Sequence, residues 1–253
     1  GPKQSFFQFQ QGVFVRQITA QPSKVAFLFP GQGSQYAGML ADLREDFPVV
    51  EATFKEADAA LADLFPKALS QYMNPGGVLG ATADRKSAED ALRQTQITQP
   101  AMVAADVAIL RLLAQFGVTP DIVGGHSLGE YAAAVAAGIM SFETGLRTVA
   151  ARGDAMANAN PGDAGLMAAM AASAEVVQAI LDTVEGYVVC ANKNCHTQTV
   201  IAGSTAGVEE ALTKLSEAGI DGMLIPVSHA FHSKIVSGAC EPLGAHLGTQ
   251  ERP

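Results

Sequence analysis

The sequence has only three cysteines, Cys190, Cys195 and Cys240, an odd number with no C-x-x-C pair. That excludes a disulfide framework and reads as reduced thiols in a reducing, cytoplasmic setting. His229, His232, Cys240 and His246 lie close in sequence but match no usual ligand spacing, so no metal is expected. No apolar run reaches the roughly 20 residues that cross a bilayer, and no secretory pattern opens the chain, so no membrane role is expected. Positive charge is also scarce: 16 Lys and Arg against 25 Asp and Glu leave a net charge of −9. Nonspecific nucleic-acid binding is therefore disfavoured, and an anionic ligand needs a local basic patch, for which Lys193 and Lys234 are candidates. Repeats and low-complexity tracts are absent too. Apolar residues are abundant, 48% of 253, enough for a substantial core.

Gly1-Pro2 reads as the remnant of a protease cut. Residues 3–23, with Phe6, Phe7, Phe9 and Phe14 among glutamines, read as a linker or a segment that packs on a neighbouring domain. Val25–Phe29 is a short apolar run stopped by Pro30-Gly31, and Asp121–Gly124 is another short strand. Helical spacing covers 47–65, 100–116, 128–137 and 142–159. This alternation predicts an α/β fold with a parallel sheet. At Pro161-Gly162 the rhythm changes: strand 166–172, helix 173–184 with Ser173 as N-cap, strands 187–191 and 197–202, helix 204–218, strand 222–226. The order β-α-β-β-α-β is that of a ferredoxin-like unit. The expected organisation is a large subdomain of 24–160 and 229–253, interrupted by a small one over 161–228, with helix returning from His232 to about Leu247.

Gly125-His126-Ser127-Leu128-Gly129 matches G-x-S-x-G between a strand and a helix, the setting of a nucleophile elbow. Such a corner projects the serine hydroxyl into a cleft, and the N–H of the next residue faces a developing oxyanion. The serine needs a general base, and histidine is the natural one. His126 adjoins the serine around a tight turn and is expected to be structural. His229 and His232 sit where the chain re-enters the large subdomain, and spacing alone leaves the choice between them open. Pro30-Gly31-Gln32-Gly33-Ser34 lacks the third glycine of a dinucleotide fingerprint, but its backbone N–H groups suit a second oxyanion donor. Arg152, among small and apolar residues, either pairs with Asp154 or Glu130 or offers its fork to a substrate carboxylate.

Together, Phe29-Pro30-Gly31-Gln32-Gly33-Ser34-Gln35, Thr98-Gln99-Pro100-Ala101-Met102, Gly125 to Glu130, Arg152-Gly153 and His229-Ala230-Phe231-His232 resemble the malonyl-CoA:acyl carrier protein transacylases and the acyltransferase domains of fatty acid and polyketide synthases. The resemblance runs from about Lys24 to Gly244. It implies an α/β-hydrolase-like large subdomain and transfer of malonyl from malonyl-CoA to the phosphopantetheine thiol of an acyl carrier protein, with neighbouring synthase domains as further partners and no permanently bound cofactor. Carried over by position, it implies Ser127 as nucleophile, His232 as base and the N–H groups of Gln32 and Leu128 as oxyanion donors. Arg152 would hold the malonyl carboxylate, with Gln99, Phe231, His229 and Asn194 lining the site and Phe231 crowding an α-methyl. The pattern departs at Asn194-Cys195-His196-Thr197-Gln198, where Cys195 and His196 replace the usual Ser-Pro, and at Ser233-Lys234-Ile235-Val236. The resemblance also implies more chain beyond Pro253, including a Gly-Pro-Gly strand end that orients the base. The competing expectations are a serine hydrolase, which shares the elbow, and a non-catalytic docking fragment.

Overall fold

The computed structural model describes residues 6–8, 14–16, 24–74, 82–159 and 162–249. Gly1-Pro2, most of the linker-like stretch to 23, and Pro161 at the expected boundary lie outside the described residues. Within that stretch, β1 (Phe6–Gln8) and β2 (Phe14–Arg16) pair antiparallel.

After β3 (Ala26–Phe29) come α1 (Ala41–Asp46), α2 (Pro48–Ala60), α3 (Leu69–Met73), α4 (Thr82–Ala91) and α5 (Thr95–Gln115). Three of these, α1, α3 and α4, are too short or too polar to stand out by apolar spacing. Helix α2 opens on Pro48, whose fixed φ and missing N–H suit a first helical position, and gives way to turn at Leu61 rather than running to 65. Helix α5 starts at Thr95 and carries Pro100 inside its second turn, where the missing N–H costs the bond to the Gln96 carbonyl and the helix is held instead by packing in the core. The Thr98 hydroxyl also donates to the Gln94 carbonyl there (3.0 Å). By length and composition α5 could cross a membrane, contrary to the expectation from apolar runs, but 67% of its most apolar window is buried inside the protein. It is the core helix.

The chain then makes β4 (Ile122–Gly125), α6 (Gly129–Ala136) and α7 (Phe142–Ala157), the last capped by the Ser141 hydroxyl accepting from the Thr144 N–H (3.0 Å). Strands β3 and β4 form a parallel pair, with Ala26 opposite Ile122 and Phe29 opposite Gly125. Alternation turns Phe27, Phe29 and Val123 toward Ala132 and Ala133 of α6, and leaves Leu28 and Ile122 exposed on the other face. Val50 and Phe54 of α2, Val103 and Val107 of α5, and Leu146 and Val149 of α7 share one buried cluster with Leu128.

Next come β5 (Leu166–Met170), α8 (Ala174–Leu181), β6 (Val188–Cys195), β7 (Gln198–Gly203), α9 (Thr205–Glu217) and β8 (Gly222–Leu224). The strands form an antiparallel sheet in the order β6-β7-β5-β8. Ser173 occupies the N-cap of α8 as expected, though its hydroxyl caps no helix N–H, whereas Ser204 caps α9 by accepting from Gly207. One face of the sheet buries Met170, Ile201, Val208 and Leu215; the other packs Met167, Val200 and Ala202 on Ala230, Phe231 and Val236. The outgoing and returning passes of the chain are stitched where the Ala230 N–H donates to the Ala164 carbonyl (2.8 Å).

The helix expected from His232 begins later, as a 3₁₀ turn over Lys234–Ala239 followed by α10 (Cys240–Gly248). His232 has φ 57°, which no right-handed helix accommodates, and Ser233 caps the turn by accepting from the Ile235 N–H (3.2 Å). His229 and His232 therefore share no helical face.

Candidate active site

The sharp corner expected at Ser127 is present. Its φ is 54°, in a left-handed region that costs a residue with a side chain of order 1–3 kcal/mol. The surroundings enforce it. A Cβ on Gly125 would fall 2.1 Å from the Gly129 carbonyl carbon, and one on Gly129 would fall 2.1 Å from the Phe29 carbonyl oxygen. Only glycine lets β3, β4 and the start of α6 meet this closely. The turn is further pinned by His126 N–H to Phe29 O (3.0 Å) and Glu130 N–H to Ser127 O (3.1 Å). Leu128 is fully buried in the main core, an anchor of about 1.5–3 kcal/mol.

The structure brings His232 to this serine: Ser127 Oγ and His232 Nε2 lie 2.6 Å apart. The turn carrying His232 is held by the Ser233 hydroxyl donating to the Ala230 carbonyl (2.6 Å). Although one side of the ring is open to the cleft, the protein around it displaces water and disfavours the imidazolium. The charges of Arg152 and His126 add to this and Glu130 opposes it, so His232 is held below the ordinary imidazole range. This favours the neutral imidazole, the form that can accept a proton. His229 does not reach Ser127: its Nδ1 lies 2.9 Å from Ser228 Oγ and its ring tilts against Phe231 at 6.0 Å.

Gly31 lies against the corner, where a Cβ would sit 2.6 Å from the His126 carbonyl oxygen and 3.4 Å from the Leu128 nitrogen. This close approach brings Gln32 to the cleft opposite Leu128. Behind the cleft, Arg152 is 7% exposed, its guanidinium 5.6 Å from the centre of the Tyr131 ring. Among the described residues it makes no ion pair with any carboxylate, and Asp154, one expected partner, is instead bonded to Asn158. Burial works against the Arg152 charge, while Tyr131 and Glu130 favour it. Its Nη1 donates to Gln99 Oε1 (2.7 Å), Gln99 Nε2 donates to Thr95 Oγ1 (2.8 Å), and Thr95 Oγ1 donates to Gln32 Oε1 (2.8 Å). Thr95 escaped sequence reasoning; its only signal is that it precedes Gln99 by one helical turn.

Two cavities meet at Ser127 and His232. The narrower, about 180 Å³, is lined by Met167, Val200, Ile225, Val227 and Phe231. The wider, about 540 Å³, is lined by Glu130, Asn192, Lys193 and Gln198. His126, Asn192 and Asn194 border both, and His126 Nε2 lies 3.1 Å from Asn194 Oδ1, so His126 reaches across the cleft to the end of β6. Asn194 Nδ2 donates to Gln198 Oε1 (2.9 Å). Strand β6 runs past its expected end through two register shifts, between Cys190 and Asn192 and between Lys193 and Cys195. Such bulges re-aim side chains, and their positions are invisible to alternation counting. That is why Asn192 was missed. Of the expected cations, Lys193 enters the wider cavity, whereas Lys234 stacks 4.0 Å over the Tyr187 ring. Arg152, Gln99 and His229, expected to bind or line the substrate site, line neither cavity, nor do Cys195 and His196.

This geometry sets the comparisons with known proteins in context. Residues 26–253 match the model of the acyl transferase domain family. The malonyl CoA-acyl carrier protein transacylase of Bacillus subtilis is 41% identical over 226 residues, covering 87% of this chain and 67% of that protein. The structure of the malonyl CoA-acyl carrier protein transacylase from Coxiella burnetii superposes with a TM-score of 0.80 at 36% identity, over 91% of this chain and 70% of that one. A malonyl-transacylase solved in complex with a type II polyketide synthase acyl carrier protein gives a TM-score of 0.80 at 36% identity, over 91% of this chain and 72% of that one. These structures share the α/β fold with its parallel strands, and with the family match over most of the sequence they establish that the chain belongs to the acyl transferase domain family.

Proposed function

We propose that this chain moves a malonyl group from malonyl-CoA to the phosphopantetheine thiol of an acyl carrier protein through an ester on Ser127. His232 Nε2 takes the Ser127 proton as Oγ attacks the thioester carbonyl, and the oxyanion is met by the N–H groups of Gln32 and Leu128. The C–S bond breaks and coenzyme A leaves as a thiol, protonated by His232. The carrier thiol then gives its proton to His232 and attacks the ester, which returns Ser127 to its hydroxyl form. Arg152 holds the free carboxylate throughout, and Phe231 in the narrow cavity leaves little room for an α-methyl. The organisation behind this is an α/β-hydrolase-like part, 24–160 with 229–253, around an inserted ferredoxin-like unit over 161–228.

The observation that carries this reading is Arg152. A buried guanidinium with no carboxylate partner among the described residues, close enough to His232 for its charge to act on that ring, is costly unless an anionic substrate supplies the missing charge. A plain serine hydrolase has no use for it.

Intact-protein mass after brief mixing with malonyl-CoA, acetyl-CoA and methylmalonyl-CoA tests the reading. A malonyl adduct is expected, absent in Ser127→Ala and weaker with the other two donors. Arg152→Ala should lose about 10–100-fold of the preference for malonyl over acetyl, the worth of a charge-assisted hydrogen bond. Release of coenzyme A with no lasting adduct would make the protein a hydrolase, and an inert wild type would overturn both.

A further inference from the structure

The hydrogen-bond chain from Arg152 to Gln32 runs through Gln99 and Thr95, two residues to which the steps above give no part. Its interior is dry: Gln99 is 0% and Thr95 1% exposed. Both inner members are used on two sides. Gln99 accepts from Arg152 and donates to Thr95, and Thr95 accepts from Gln99 and commits its one hydroxyl proton to Gln32. Each amide orientation is thereby determined, with every donor pointing from the cation toward the loop. The chain begins at the residue proposed to bind the carboxylate and ends on Gln32, the proposed oxyanion donor, which lines the narrow cavity together with Ser127. The loop after Gln32 turns at Gly33 (φ 106°), so the Thr95 bond is what ties the Gln32 side chain to the helical core.

We propose that Thr95 is a positioning residue that couples occupation of Arg152 by a carboxylate to placement of the Gln32 N–H at the oxyanion. The proposal rests on the transferase reading above. Buried hydrogen bonds polarise one another, and a buried donor or acceptor left unpaired is penalised, so the four groups move as a set. A carboxylate that draws on Arg152 shifts the whole chain, and an acyl group lacking one leaves the Gln32 loop less well placed. Selection for malonyl then falls on kcat as well as on KM.

The test compares Thr95→Val, which removes the hydroxyl at similar volume, with Thr95→Ser, which keeps it. With malonyl-CoA, Thr95→Val should lower kcat for Ser127 acylation about 10–100-fold, with KM within about twofold. The kcat with acetyl-CoA should fall less than about threefold, and Thr95→Ser should recover the malonyl value to within about threefold. A second readout needs no substrate: amide hydrogen exchange over residues 31–35 should quicken in Thr95→Val and stay as in wild type in Thr95→Ser. An unchanged malonyl-to-acetyl kcat ratio in Thr95→Val, a serine variant that fails to rescue, or unaltered exchange would each overturn the proposal. If wild type takes up no malonyl, the transferase reading has failed, and the exchange measurement alone decides whether Thr95 controls the loop. Should Thr95→Val not fold, Gln99→Met breaks the chain between Arg152 and Thr95 while leaving the Thr95–Gln32 bond, and it is read by the malonyl-to-acetyl kcat ratio alone, which should fall as in Thr95→Val; an unchanged ratio would overturn the proposal.

Discussion

The two walls of the cleft are held in different ways. The Ser127 wall is fixed by backbone packed on backbone, with Gly125, Gly129 and Gly31 each at a distance that excludes a methyl group. The opposite wall, at the end of β6, is made of half-buried Asn192 and exposed Lys193 and Asn194, and Asn194 is joined to the elbow by one hydrogen bond to His126. The first wall cannot shift without unmaking the junction of β3, β4 and α6. The second can give at the cost of a bond worth about 0.5–1.5 kcal/mol. On the proposed reading, the nucleophile thus stands where the backbone is most tightly packed, and the polar wall across the cleft is held by far less.

Three experiments press on that contrast. Gly129→Ala should break the rigid wall outright, destabilising the protein by about 4 kcal/mol or more because no rotamer change relieves a backbone clash, as denaturant titration would show. The pH dependence of kcat/KM for acylation probes the reacting pair. In the proposed mechanism His232 works in its neutral form, and burial lowers its pKa, so the acid limb should lie below the ordinary histidine value. Glu130→Gln, which removes the one charge raising that pKa, should move the limb lower still; a limb that stays put would mean that another group titrates. Asn194→Ala should have the smallest effect, a rise in KM for malonyl-CoA of about 3–10-fold with little change in kcat. The double variant with His126→Ala should be no worse than either single one, whereas additive losses would show that the two residues act separately.

Much of the rigid wall was legible in the sequence because its geometry is local. A G-x-S-x-G between strand and helix admits few backbone solutions, and Ser127, Leu128 and the following helix lie where the pattern puts them. The antiparallel order of the small sheet also follows the expected alternation, with boundaries displaced by a few residues. The compliant wall was not legible, since the bulges in β6 depend on pairing with β7 and leave no compositional mark. The left-handed backbone at His232 was equally hidden. Nothing in His-Ser-Lys distinguishes a strained turn from the first turn of a helix, and packing of Ala230 and Phe231 on the small sheet decides it. The Thr95 bond escaped because it joins residues distant in sequence.

The stitch between Ala164 and Ala230 gives the cleft a fulcrum. A Cβ on Gly165 would lie 2.7 Å from the Ala230 Cβ, so the two passes of chain are pressed together there. If the small sheet rocked about this point, displacement would grow with distance from it, and His232, two positions beyond Ala230, would travel little. Asn194 rides toward the far end of β6, which extends roughly 3.3 Å per residue from the end nearest the stitch. Such a motion would swing the jaws of the cleft while keeping Ser127 and His232 together, as the blades of scissors open without disturbing the rivet.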